Sequence, residues 1–178
     1  MNGSLRSRIS LLVALVFGLL FGLSFAQAQG IYCGGGQCTG SSYANYMIGT
    51  DGWDRIESLG GRDHIWGKPT GDDLHGGDHG DIIYGNPGDD VIRGQNGNDK
   101  VLCNTSDCGL DGGNGDDEIH GWSGHDVLIG SYGNDVMYGD DNQDYLYAYD
   151  GVQDMVYGGQ GDDVCSIDSH DIYGGCFE

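Results

Sequence analysis

Aspartate recurs at a nine-residue interval through most of this 178-residue chain. A carboxylate held at one place in a short period is the chain's main stock of chemistry. From Asp54 the series runs through Asp63, Asp72, Asp81, Asp90 and Asp99 and is broken at Cys108. It continues through Asp117, Asp126, Asp135 and Asp144, and one additional residue shifts it to Asp154 and Asp163. Hard oxygen donors in such numbers suit a hard cation. Ca²⁺ accepts six to eight oxygens in flexible geometry, whereas Mg²⁺ demands a stricter octahedron and keeps more of its water. The expected chemistry is the binding of several Ca²⁺ ions, with these twelve aspartates as ligands.

The elements that position them follow from the other columns of the repeat. Written in nonads from Gly49 to Ser166, thirteen units place glycine first in ten of them and fourth in nine. Glycine supplies the positive φ or close backbone approach that a sharp turn needs. The eighth column is Ile56, Ile65, Leu74, Ile83, Ile92, Val101, Leu110, Ile119, Leu128, Met137, Leu146, Val156 and Cys165. One apolar residue between two variable ones describes a three-residue strand with a single side chain turned inward. No 3.6-residue period competes with it after residue 28. The expected fold is all-β: a right-handed parallel β-roll in which each nonad makes a six-residue turn and a short strand. Alternate nonads then stack on the same side, and one file of apolar side chains lies between two sheets.

In such a roll the aspartates form two edges. One carries Asp63, Asp81, Asp99, Asp117, Asp135 and Asp154; the other carries Asp54, Asp72, Asp90, Asp126, Asp144 and Asp163, interrupted at Cys108. Carboxylates stacked at the spacing of adjacent strands, about 4.8 Å, repel one another unless a cation lies between them. Adjacent pairs number five on the first edge and four on the second, which predicts about nine Ca²⁺ ions. The sites among Asp99, Asp117 and Asp135 are expected to be the strongest, since GQNGND, GGNGDD and GSYGND keep both turn glycines. KPTGD and DDNQD lack the column-four glycine and are expected to be weaker.

These units resemble the RTX (hemolysin-type) calcium-binding nonapeptide, G-G-x-G-x-D-x-(large apolar)-x. GGNGDDEIH matches it at every constrained position, and GGQGDDVCS does so except at Cys165. The resemblance spans about 118 residues of the repeat region and implies a calcium-filled β-roll in an extracellular protein. Carried over, the column-six aspartates are metal ligands and turn carbonyls complete each sphere. Members of that family typically use a C-terminal export signal, contain little cysteine and follow a protease, lipase or toxin domain. This chain departs from all three habits, so no toxin or enzyme role is inherited.

Residues 1–28 read as a secretory signal peptide: Arg6 and Arg8, an apolar run from Ile9 to Phe25, and Ala26-Gln27-Ala28 as the cleavage site. Its removal leaves five basic against 28 acidic residues, a net charge of −23. A polyanion of that kind repels nucleic acid and anionic membrane, and no second apolar segment offers a membrane anchor. Residues 29–48 are expected to form an N-terminal cap with one degenerate unit at 40–48, the β-roll to occupy 49–166, and 167–178 to form the C-terminal cap.

Six cysteines in an exported chain point to disulfides. Fifteen connectivities are open to six cysteines. Local spacing favours Cys33–Cys38, Cys103–Cys108 and Cys165–Cys176, the second of them standing where a carboxylate is missing. On the outer face of one sheet Trp66, Tyr84, His120, Tyr138 and Tyr157 form a stripe. Cross-strand ring packing accounts for it, with an extracellular polysaccharide or self-association as the alternative use. The chain contains no HExxH, GxSxG or P-loop sequence. The expected role is therefore non-enzymatic: a secreted Ca²⁺-binding protein that folds as it binds, or alternatively an adhesin or carbohydrate-binding module using the stripe.

Overall fold

The structure, a computed structural model, describes residues 29–176. The leader sequence read at residues 1–28 and the last two residues lie outside the described residues. Each nonad contributes one strand because its apolar eighth residue has a place only between two sheets, and its glycines turn the chain back. One sheet contains β1 (Gln29–Tyr32), β3 (Asn45–Ile48), β5 (His64–Trp66), β7 (Ile82–Tyr84), β9 (Lys100–Asn104), β11 (Glu118–Ser123), β13 (Val136–Asp141), β15 (Met155–Gln160) and β17 (Ile172–Gly174). The other contains β2 (Gly36–Ser41), β4 (Asp54–Leu59), β6 (Asp73–Asp78), β8 (Val91–Asn96), β10 (Gly109–Asn114), β12 (Val127–Tyr132), β14 (Tyr145–Tyr147) and β16 (Val164–Ser166).

Strands alternate between the sheets and every pairing is parallel, giving a β-solenoid of about eight turns. The pairing register follows the repeat. Ile119 faces Met137 and Leu110 faces Leu128 at 18-residue separation, and Met137 faces Val156 across the inserted residue.

One detail differs from expectation. Many strands run six residues rather than three, because ladder bonding continues around the corner into the first three columns of the next unit, as in β8 and β12. Strands also run through the segment read as the N-terminal cap with its degenerate unit. Gln29–Tyr32 pairs with Asn45–Ile48, and Gly36–Ser41 pairs with the strand at Asp54, so the roll is already wound before the first full nonad.

The core is one side chain wide. Met47 through Val156 in column eight are each 0–1% exposed, and among the described residues no second apolar layer lies behind them. Ile119→Ala is therefore expected to lose about 2–5 kcal/mol, read as a lower denaturant midpoint in saturating calcium. Disulfides close both ends of the apolar file: Cys33–Cys38 at β2, and Cys165–Cys176 between β16 and the last coil. With Cys103–Cys108, all three locally favoured pairings are formed.

Candidate metal centre

Each column-six aspartate sits where a turn gives way to a strand, and its side chain folds under the turn. All twelve are 0–3% exposed. One carboxylate oxygen is tied to the coil before it. On the first edge the backbone N–H of Asp63 donates to Oδ1 of Asp81 at 2.8 Å, Asp81 to Asp99 at 2.7 Å, Asp99 to Asp117 at 2.7 Å, Asp117 to Asp135 at 2.9 Å and Asp135 to Asp154 at 2.7 Å. On the second edge the same bond runs from Asp54 to Asp72 and Asp72 to Asp90, each at 2.8 Å. It resumes from Cys108 to Asp126 and Asp126 to Asp144, both at 2.8 Å, and from Asp144 to Asp163 at 2.9 Å. The two edges read from the period are thus the two files brought together by the fold.

The other oxygen has no donor. Oδ2 of Asp63, Asp72, Asp81, Asp90, Asp99, Asp117, Asp126, Asp135, Asp144 and Asp163 is buried without a hydrogen-bond partner, and so is Oδ1 of Asp54. Asp54 is turned the other way because its Oδ2 accepts from the N–H and hydroxyl of Thr50. A buried carboxylate oxygen left unpaired is strongly unfavourable, and native interiors avoid it.

Glycine's role in column one becomes clear here. A Cβ on Gly76 would stand 2.5 Å from Oδ2 of Asp81 and 2.7 Å from the carbonyl oxygen of Gly94 in the next coil. On Gly121 it would stand 2.5 Å from Oδ2 of Asp126 and 2.8 Å from the carbonyl oxygen of Gly139. Column one therefore keeps a space lined by carboxylate and carbonyl oxygens free of side chain. Positive φ falls instead in columns two and four, as at Ser131 (75°) and Gly133 (140°). An all-oxygen lining with anionic members fits a hard divalent cation such as Ca²⁺. The column-six aspartates and the turn carbonyls are the residues that would hold it.

Burial raises the carboxyl pKa values far above the usual 3.8. Asp81 and Asp117 are pushed up to about 8, Asp90, Asp126, Asp144 and Asp154 to about 7, and Asp72, Asp99 and Asp135 to about 6. Asp63 and Asp163 are raised as well. Desolvation is the main cause throughout. The backbone N–H bonds to Oδ1 oppose it, and neighbouring aspartates reinforce it at several positions, Asp81 and Asp117 among them.

The first file extends beyond the residues read from the period. At its end the N–H of Asp154 donates to Oδ1 of Asp171 at 3.1 Å, and at its start Asn45 donates to Asp63 at 2.6 Å. Asp171 escaped the count because the last unit is a residue short, although Ile172 and Tyr173 after it restart the strand columns. In the second file Cys108 replaces the carboxylate between Asp90 and Asp126, and its sulfur is bonded to Cys103 in column one of the same unit.

The aromatic stripe is present but its rings face one another. Trp66 stacks on Tyr84 at 5.9 Å and 8°, His120 on Tyr138 at 4.6 Å, and Tyr138 on Tyr157 at 5.2 Å. Leu102 separates these into two stacks. Ring faces used on each other leave mainly edges outward, which is the geometry of sheet stabilisation. Histidines pair locally rather than with each other: His75 with Asp73, and His120 with Glu118.

The RTX calcium-binding nonapeptide repeat family model matches residues 48–78, 75–102, 110–128, 123–152 and 153–166. The stretch it leaves out between 102 and 110 is the unit with the two cysteines. No curated protein matches the chain. The parallel roll, the two files of buried aspartates and the family match agree: the chain belongs to the RTX calcium-binding nonapeptide repeat family.

Proposed function

We propose that this is a secreted protein whose roll folds as Ca²⁺ fills the two files of column-six aspartates, giving a multi-ion structural module. The observation that carries this reading is the set of buried carboxylate oxygens without donors, arranged in register along both edges. A cation between successive coils would neutralise two carboxylates and replace the missing donors together. Export is supported by the charged, apolar and small-residue pattern of residues 6–28. It would deliver the chain to surroundings where calcium modules work at about 10⁻⁴–10⁻³ M.

The test is an ion count by native mass spectrometry on protein stripped with chelator and then refilled. Wild type is expected to hold about nine or ten Ca²⁺, one for each adjacent carboxylate pair. Asp117→Asn, in the middle of the first file, is expected to lose at least one ion and raise the calcium midpoint of folding several-fold. Failure to retain calcium, or an unchanged count in Asp117→Asn, would sink the reading.

A further inference from the structure

We propose that the break in the second file is a redox-gated site for a thiophilic divalent cation of the zinc type. It is a metal-free covalent link when oxidised, and a two-thiolate, one-carboxylate site when reduced. The inference rests on the geometry of the repeat rather than on calcium occupancy elsewhere, and its test does not read calcium.

In the regular units, the backbone of column one and the free oxygen of column six of the same unit approach so closely that a Cβ would collide. The unit at 103–111 places a cysteine at each of those two positions, and they are bonded. The disulfide thus fills the space that other units line with oxygen. Both sulfurs are enclosed, Cys103 being 1% and Cys108 4% exposed.

The surroundings remain those of a cation site. The two sulfurs and a carboxylate oxygen of Asp126 all lie within 4.8 Å of one another. Asp126 is 0% exposed; its Oδ1 accepts the N–H of Cys108 at 2.8 Å and its Oδ2 has no partner. The carbonyl oxygen of Ser106 lies 3.3 Å from the sulfur of Cys103, and that of Gly88 lies 3.8 Å from the sulfur of Cys108.

Reduction changes what this cluster prefers. Two electrons and two protons from an external dithiol, itself oxidised to a disulfide, break the S–S bond and leave two thiols. A divalent metal then displaces the thiol protons to solvent. Two soft thiolates beside one hard carboxylate select Zn²⁺ or Co²⁺ over Ca²⁺. A neighbouring carbonyl or a water supplies the fourth position of a tetrahedron.

The probe is Co²⁺, whose thiolate complexes absorb strongly in the near ultraviolet, added to the reduced, desalted full chain kept anaerobic in calcium. One equivalent is expected to develop the sulfur-to-cobalt band. The band should be absent from oxidised protein, lost in the reduced double variant Cys103→Ser/Cys108→Ser, and at least ten-fold weaker in affinity in Asp126→Asn. A second measurement needs no variant. Zn²⁺ should protect Cys103 and Cys108 from alkylation, mapped by peptide mass, while Cys33, Cys38, Cys165 and Cys176 react at unchanged rates. No protection at Cys103 and Cys108, equal protection of all six, or a cobalt band that survives the double serine variant would overturn the proposal.

Discussion

Chelating calcium at pH 7.4 is expected to abolish most of the parallel-strand signal, and acidification toward pH 4 is expected to restore part of it without calcium. The reason is the direction of the carboxyl shifts. An acid whose folded pKa is raised stabilises the fold while it is neutral in both states. That contribution is complete below the unfolded value near 3.8 and is lost as pH rises through the folded value. Here the folded values span about 6 to 8 for nine of the aspartates, so the loss falls between about pH 4 and pH 8. At pH 7.4 each such group costs on the order of 3–5 kcal/mol relative to the unfolded chain. Nine of them exceed the 5–15 kcal/mol that stabilises a whole domain. A core one side chain wide offers no reserve against that. Bound Ca²⁺ replaces the proton and removes the penalty, so calcium affinity should rise across the same window. Circular dichroism with paired calcium and chelator titrations at pH 4, 6 and 7.4 checks all three statements. Equal strand content in chelator and in calcium at pH 7.4 would contradict coupled folding.

The period made much of this molecule legible. The aspartate frame, the apolar column and the three local disulfides depend on spacing alone, and the pairing at 18 residues follows from two nonads per coil. What spacing could not convey is which backbone atoms meet between coils. The two constrained glycine columns look alike in sequence, yet Gly133 combines a positive φ with a close backbone carbonyl, that of Gly115, against its Cβ position, whereas Gly130 has an ordinary φ and meets a carboxylate oxygen. Nor could the period show that, Asp54 apart, one oxygen of each column-six carboxylate is already bound to an N–H of the preceding coil, as Oδ1 of Asp135 is, leaving the other for a cation. Asp171 was hidden by a single deletion; its Oδ1 accepts the N–H of Asp154 as an aspartate in frame would, while its Oδ2 accepts the N–H of Asp168. The stripe of aromatic residues was visible as a row, but the direction its rings face is a property of packing.

Gly130→Ala should be far more damaging than Gly109→Ala, although each adds one methyl group to a strand or its edge. A Cβ at Gly130 would stand 2.5 Å from Oδ2 of Asp135 and 3.2 Å from that residue's Cβ and Cγ. Asp135 cannot step aside. Its Oδ1 holds the N–H of Asp117 at 2.9 Å, and its own N–H is held by Asp154 at 2.7 Å. Alanine must therefore evict the carboxylate or separate two coils. The expected loss is about 3 kcal/mol or more, with a higher calcium midpoint for folding. Gly109 occupies an outward column with nothing within 4 Å of its Cβ position, so Gly109→Ala should stay within about 0.5 kcal/mol of wild type. Denaturant midpoints in saturating calcium separate the two, and equal losses would refute the role assigned to column one. The three exceptions in that column argue the same way. Ser58 donates its hydroxyl to the carbonyl oxygen of Gly76 in the next coil. Ala148 opens the one unit with an additional residue, and its Asp154 is the only one of the twelve without an orphaned oxygen. Cys103 is joined covalently to the residue it would otherwise strike. A side chain is accepted in column one only where it bonds to what lies opposite or where the unit is lengthened to make room for it.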